Sequence, residues 1–179
     1  MTDIRDATPA DLPAILNIHN DAIRTSRAIW MDEPVELSDR EEWFASAQER
    51  DDAVLVAEVD GAVAGYASFG PWRERYGYRH SVENSVYIAD GHQGAGLGRA
   101  LLVELIARAR AAGYHVMIAD IEAGNRASIH LHESLGFLHE GLVREVGTKF
   151  GEWLDLAIMR LPLEPRPRAA AEHRAVLRE

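Results

Sequence analysis

The run Val86-Tyr87-Ile88-Ala89-Asp90-Gly91-His92-Gln93-Gly94-Ala95-Gly96-Leu97-Gly98-Arg99 passes from a β-pattern, through four glycines in eight residues, into a helix pattern. Leu97, Leu101, Leu102, Leu105, Ile106 and Ala109 fall on one helical stripe, with Arg99 and Arg110 outside it. The first N–H groups of such a helix have no intrahelical partners and sit at the positive end of its dipole. Glycines before it let a ligand approach the backbone. The product is an anion site of the size and polarity of a pyrophosphate. Two nucleotide motifs fail on named residues: the third glycine of G-x-G-x-x-G falls on Arg99, and the lysine of a P-loop started at Gly91 falls on Leu97. A turn that only caps a helix has no need of four glycines.

Upstream of this run, residues 81–89 alternate as a strand, with Val82, Val86 and Ile88 on one face and Glu83, Ser85 and Tyr87 on the other. Residues 54–59 and 63–69 form two strands joined by Asp60-Gly61, a hairpin signal. Earlier, residues 3–7 read as a first strand, and Thr8-Pro9-Ala10-Asp11 starts a helix through Leu12, Ile15, Leu16, His19 and Ile23. A second helix opens at Ser38 or Asp39 and runs to about Glu49, after a loop carrying Ile29-Trp30-Met31. Downstream, Gly113 stops the long helix, and residues 115–121 form a strand. Residues 125–135 form a helix with Ala127, Leu131 and Leu135 inward, ended by Gly136. Strands near 137–144 and 153–161 follow. The order β-α-α-β-β-β-α-β-α-β-β predicts a single-domain mixed α/β fold over residues 1–163. Residues 164–179, rich in proline, charge and then alanine, read as a C-terminal tail.

The chain has 179 residues, 47% apolar and 27% charged, the balance of an ordinary globular domain. No apolar run reaches the length of a membrane span, and the first residues lack the basic start and apolar stretch of a signal peptide, so the cytoplasm is the expected location. The absence of cysteine excludes disulfides, thiolate zinc ligands and a cysteinyl intermediate. A net charge of −10 argues against a nucleic-acid partner.

Glu83 is a carboxylate inside a strand, a rare placement that suits a general base. From position alone it reads equally as a surface glutamate or an ion-pair partner of Arg79. The loop Trp72-Arg73-Glu74-Arg75-Tyr76-Gly77-Tyr78-Arg79 offers arginines that can grip a substrate carboxylate through two parallel bonds. Trp72, Tyr76, Tyr78 and Trp30 are candidate pocket walls; the arginines read otherwise as surface charge. Arg73, Glu74, Arg75, Asn84 and Ser85 are the substrate-binding candidates. His130 and His132 lie two residues apart, on nearly opposite helix faces, so no metal is expected.

Gln93-x-x-Gly96-x-Gly98 resembles the acetyl-CoA loop of the GNAT superfamily of N-acetyltransferases. Glu83-Asn84-Ser85-Val86-Tyr87-Ile88, Asn125-x-x-Ser128, His132-Glu133-Ser134-Leu135-Gly136-Phe137 and Lys149-Phe150-Gly151-x-Trp153-x-Asp155 together resemble its phosphinothricin and methionine sulfoximine (methionine sulfone) acetyltransferase branch. That resemblance, spanning residues 4–163, implies a largely antiparallel twisted sheet flanked by helices that binds acetyl-CoA. It further implies direct transfer of the acetyl group, in a ternary complex, to the amino group of a small amino acid analogue. The backbone of Val86, Tyr87 and Ile88 would bind the pantetheine arm. Gln93, Gly94, Ala95, Gly96, Leu97, Gly98 and Arg99 would form the pyrophosphate loop, and Asn125 and Ser134 would also contact the cofactor. Glu83 would be the base and His132 the acid for the departing thiolate, although His132 reads equally as a packing histidine. A homodimer is implied as well. Two rivals stand beside this reading: the same chemistry on a protein N-terminus, polyamine or aminoglycoside, and an acyl-CoA-binding module without turnover.

Overall fold

A computed structural model of the chain describes residues 2–163. The tail expected over 164–179 lies outside the described residues. Seven strands and four helices alternate in the expected order: β1 (Thr2–Asp6), α1 (Leu12–Thr25), α2 (Leu37–Glu49), β2 (Val54–Val59), β3 (Ala62–Pro71), β4 (Ser81–Ile88), α3 (Leu97–Ala111), β5 (Val116–Glu122), α4 (Arg126–Ser134), β6 (Leu138–Lys149) and β7 (Glu152–Pro162). They form one sheet in the order β1-β2-β3-β4-β5-β7-β6, antiparallel at every junction except β4–β5.

Strand alternation divides the core into two layers. Leu55, Ala57, Ala67, Val82, Met117 and Ala119 meet the α3 stripe of Leu101, Leu102 and Leu105 on one face. Val54, Val56 and Tyr66 meet Leu12, Ile15 and Ile18 of α1 and Phe44 of α2 on the other. The β2–β3 turn places Asp60 at φ 51° and Gly61 at φ 83°, the two left-handed residues of a tight hairpin.

On α4 the inward face differs from expectation. Ala127 is exposed, and His132, 3% exposed, is the most buried residue of the helix. A methyl group contributes little to burial, so the larger Leu131, His132 and Leu135 set the helix rotation. The last two strands are longer than expected. Bulges between His139 and Gly141 and between Val143 and Gly147 interrupt the alternation of β6, which hides its full length from pattern reading.

α1 is entered through a single 3₁₀ turn, Pro9–Asp11, after Thr8. Asp11 takes the Thr8 N–H at 2.7 Å and both Arg5 guanidinium nitrogens at 2.8 Å, which hold its carboxyl well below the usual carboxylate range. Asp11→Ala should cost about 2 kcal/mol near neutral pH, a cap plus charge-assisted bonds less the screening of the half-exposed Arg5. The native carboxyl is depressed, so the difference from wild type is full above its ordinary value near 3.8 and shrinks as pH falls below it. Urea unfolding of both proteins at neutral and acid pH measures this.

The feature that makes a site lies at β4–β5. Their parallel pairing covers only Ser81–Val116, Val82–Met117 and Glu83–Ile118. Beyond it β4 follows β3 to Ile88, and β5 follows β7 to Glu122. The strands therefore part into a fork with its vertex at Glu83 and Ile118, and the inner edge of β4 past that point has no strand partner among the described residues.

Candidate active site

Asn84, the first β4 residue past the vertex, ties the fork together. Its Nδ2 donates to Ile118 O at 2.9 Å, which turns Oδ1 toward His132 Nε2 at 3.0 Å. His132 Nδ1 in turn lies 2.8 Å from Ser128 O. Both ring nitrogens thus face acceptor oxygens, an arrangement that only the doubly protonated ring satisfies in full. Burial opposes that charge and lowers the His132 pKa, with the Ser128 carbonyl acting against the shift. A ring held this way gives up a proton readily. Phe137 packs edge-on against it, at 4.8 Å between centroids.

Glu83 points to the opposite face of β4. Burial, followed by the charge of Asp120, pushes its carboxyl up to about 7, with Arg73 pulling the other way. That value makes it an effective proton acceptor near neutrality. Arg79 is not its partner: that guanidinium stacks over Tyr76 at 4.2 Å and bonds to the Tyr76 carbonyl. Asp120 and Arg73, whose charges act on Glu83, are joined through Trp72: its Nε1 donates to Asp120 at 3.4 Å, Arg73 stacks over its ring at 4.8 Å, and Tyr78 packs edge-on to it at 5.3 Å. Farther along this face Tyr66 and Tyr87 pack at 5.2 Å. Tyr66 Oη meets His19 Nδ1 at 2.9 Å, and Arg40 of α2 adds positive charge beside both tyrosines. Burial, then Arg40, lowers His19 to about 4, so it is neutral at pH 7.

The glycine loop occupies the open end of the fork. Gly94 (φ 76°) and Gly96 (φ 84°) adopt left-handed backbone, and a Cβ at either would meet nothing within 4 Å; conformation, not space, selects glycine there. Gly96 is the N-cap of α3 without any side-chain cap, so the first N–H groups of the helix remain available to an anion. At Gly98 a Cβ would lie in ordinary van der Waals contact, 3.4 Å from Leu131 Cδ2 and 3.8 Å from Ile88 Cγ1, which places this residue between the end of β4 and α4. Gln93 shapes the turn by accepting the Gly91 N–H at 3.0 Å. The unpaired β4 edge at Val86, Tyr87 and Ile88 and this turn lie in line, which fits an extended arm ending in a pyrophosphate.

The expected residues therefore divide by position. Glu83, Asn84, Ser85, Arg73 and His132 gather at the fork, with Glu83 and His132 on opposite faces of β4. Val86 to Arg99 line its open end. Asn125 caps α4 by accepting the Ser128 N–H at 3.1 Å, and Ser134 bonds to Leu131 O at 2.7 Å near the other end of that helix. Glu74 and Arg75 are exposed. Trp30 packs on Gly147 of β6, leaving no room there for a Cβ. Sequence reading missed Asp120, Arg40, His19 and Tyr66. Only Asp120 carried a signal, a carboxylate in an otherwise apolar strand. Among the described residues no group of three or more His, Asp or Glu could hold a metal ion.

Comparison with known proteins finds relatives along most of the chain. A model of the acetyltransferase (GNAT) family matches residues 14–137. An L-methionine sulfoximine/L-methionine sulfone acetyltransferase of Pseudomonas paraeruginosa is 53% identical over 163 residues, covering 90% of this chain and 95% of that one. The yncA structure from Salmonella typhimurium, with its cofactor acetyl-CoA, is 48% identical with a TM-score of 0.92, covering 93% of this chain and 96% of that one. A phosphinothricin acetyltransferase from Sinorhizobium meliloti in complex with acetyl-CoA is 34% identical with a TM-score of 0.90 and covers 99% of each chain.

Proposed function

This chain belongs to the acetyltransferase (GNAT) family, and from that premise we propose that it acetylates the amino group of a small amino acid analogue of the methionine sulfone, methionine sulfoximine or phosphinothricin type. The observation that carries the reading is the fork: a carboxylate poised near neutrality at its vertex, with a loop built for a pyrophosphate at its open end. The relatives' substrates support the acceptor class. So does the Arg73–Trp72–Tyr78 group, which places a guanidinium beside the base, as an α-amino acid requires.

The two faces of β4 divide the work. The cofactor arm lies along Val86 to Ile88, with its pyrophosphate on residues 93–99, so that the thioester reaches the vertex. The acceptor enters on the Glu83 face. Glu83 takes a proton from the ammonium. The freed lone pair attacks the thioester carbonyl, whose oxygen is met by a backbone N–H of β4. As the C–S bond breaks, the nitrogen releases its second proton to solvent, and the thiolate takes Asn84's place at His132 Nε2 and receives the Nε2 proton. Transfer is direct, from both substrates held at one point, with no covalent enzyme intermediate.

Recognition of the acceptor carboxylate is tested with methionine sulfone and its carboxamide. The amide should lose at least about tenfold in kcat/KM, the worth of one charge-assisted pair, and Arg73→Ala should erase the difference between the two. Equal rates on acid and amide would contradict an amino acid acceptor.

The β6–β7 hairpin supports assembly. Leu138 (54% exposed), Leu142, Val143, Val146, Phe150 and Trp153 (68%) present a run of large apolar side chains to solvent. We propose that two copies of the chain pair through this hairpin. Light scattering should give twice the chain mass, and Val146→Asp with Trp153→Asp should return it to the monomer mass; a wild-type monomer would contradict the proposal.

A further inference from the structure

Asp120 lies two residues beyond Ile118, the strand partner of Glu83, so the two carboxylates project from the same face at the mouth of the fork. Its neighbours Ala119 and Ile121 turn the other way into the core. Asp120 Oδ2 accepts from Trp72 Nε1, and Arg73 rests on the Trp72 ring. Asp120 Oδ1 is buried with no hydrogen-bond partner among the described residues. A buried carboxylate oxygen left unpaired is costly, and it does nothing for β5, whose backbone is already paired with β7. Its shape of need is that of a donor that arrives with the substrate.

We propose that Asp120 binds the acceptor amine: Oδ1 accepts an N–H of the incoming ammonium beside Glu83, so that two carboxylates, not one, select a primary ammonium and aim its nitrogen at the fork. The inference rests on the acetyl-transfer reading and extends it. One ammonium proton passes to Glu83. The N–C bond forms as the C–S bond breaks, the nitrogen loses a further proton to solvent, and Asp120 stays ionised, bonded to the remaining amide N–H. Burial and then the charge of Asp120 from β5 raise the proton affinity of Glu83, and Arg73 from the β3–β4 loop lowers it. Removing the Asp120 charge therefore makes Glu83 easier to ionise.

The test is thiol release from acetyl-CoA with methionine sulfone, across acid and neutral pH, for wild type, Asp120→Asn and Asp120→Ala, with Glu83→Gln alongside. Asn retains an oxygen for Trp72; Ala serves if the Asn variant fails to fold. The expected result is an acceptor KM raised at least about tenfold, an unchanged acetyl-CoA KM, and an acid limb of kcat/KM moved down by about half a pH unit or more. An acceptor KM that stays at its wild-type value overturns the proposal even if the acid limb moves, because the charge of Asp120 beside Glu83 shifts that limb whether or not Asp120 touches the amine. If Glu83→Gln keeps the wild-type rate, the base assignment has failed instead.

Discussion

Glu83→Gln should lower kcat about 10²- to 10⁴-fold while leaving acetyl-CoA binding intact. Glutamine keeps the shape and cannot accept the ammonium proton. In the wild type, kcat/KM should rise with pH through about 7, where burial and Asp120 have moved the carboxyl. The same shift fixes the sign of the stability effect. A carboxyl whose folded pKa lies above its ordinary value near 4.5 binds its proton more tightly in the native state, so its ionisation lowers stability as pH rises from there through about 7. Glu83→Gln removes that burden, and above pH 7 the variant should melt no lower than the wild type. Loss of activity without loss of stability separates a catalytic carboxylate from a structural one. A variant with wild-type rate would remove Glu83 from the chemistry.

Gly96→Val should raise the KM for acetyl-CoA roughly 10- to 100-fold and leave that for the acceptor near its wild-type value. A β-branched side chain at φ 84° carries about 1–3 kcal/mol of backbone strain, and each 1.4 kcal/mol is a factor of ten. The residue relieves that strain by rotating the peptide that delivers the first N–H groups of α3. Open space around the position means that no clash complicates the result. Titration of acetyl-CoA against the variant measures the effect, and an unchanged affinity would show that the pyrophosphate does not sit on this turn.

Most of the fold was legible because its signals were local. Alternation in residues 81–89, the Asp60-Gly61 turn, the α3 stripe and Gly113 and Gly136 as stops each depend on neighbours a few residues apart. What escaped depends on distant partners. The fork comes from β5 leaving β4 for β7, a choice made by residues about forty positions downstream. The bulges of β6 broke the period that would have marked its length, and Ala127 looked inward only because it fell on the apolar count of its helix.

The site divides the same way. The glycine loop announced itself, since left-handed glycines before a helix leave few alternatives. Glu83 was visible as a charge in a strand. Asp120 carries the same mark in Val116-Met117-Ile118-Ala119-Asp120-Ile121, but its meaning appears only when parallel register sets it beside Glu83. His132 and Asn84 were each visible as single residues; their bond across the fork, and the separation of Glu83 and His132 onto opposite faces, needed the third dimension.

The most direct test of acetyl transfer to a small amino acid is thiol release from acetyl-CoA by the purified chain, with methionine sulfone, methionine sulfoximine, phosphinothricin, a dipeptide, spermidine and an aminoglycoside supplied separately. Release with the first three and little with the others is the predicted result. Release confined to the dipeptide or the polycations, or none with any acceptor, would contradict it.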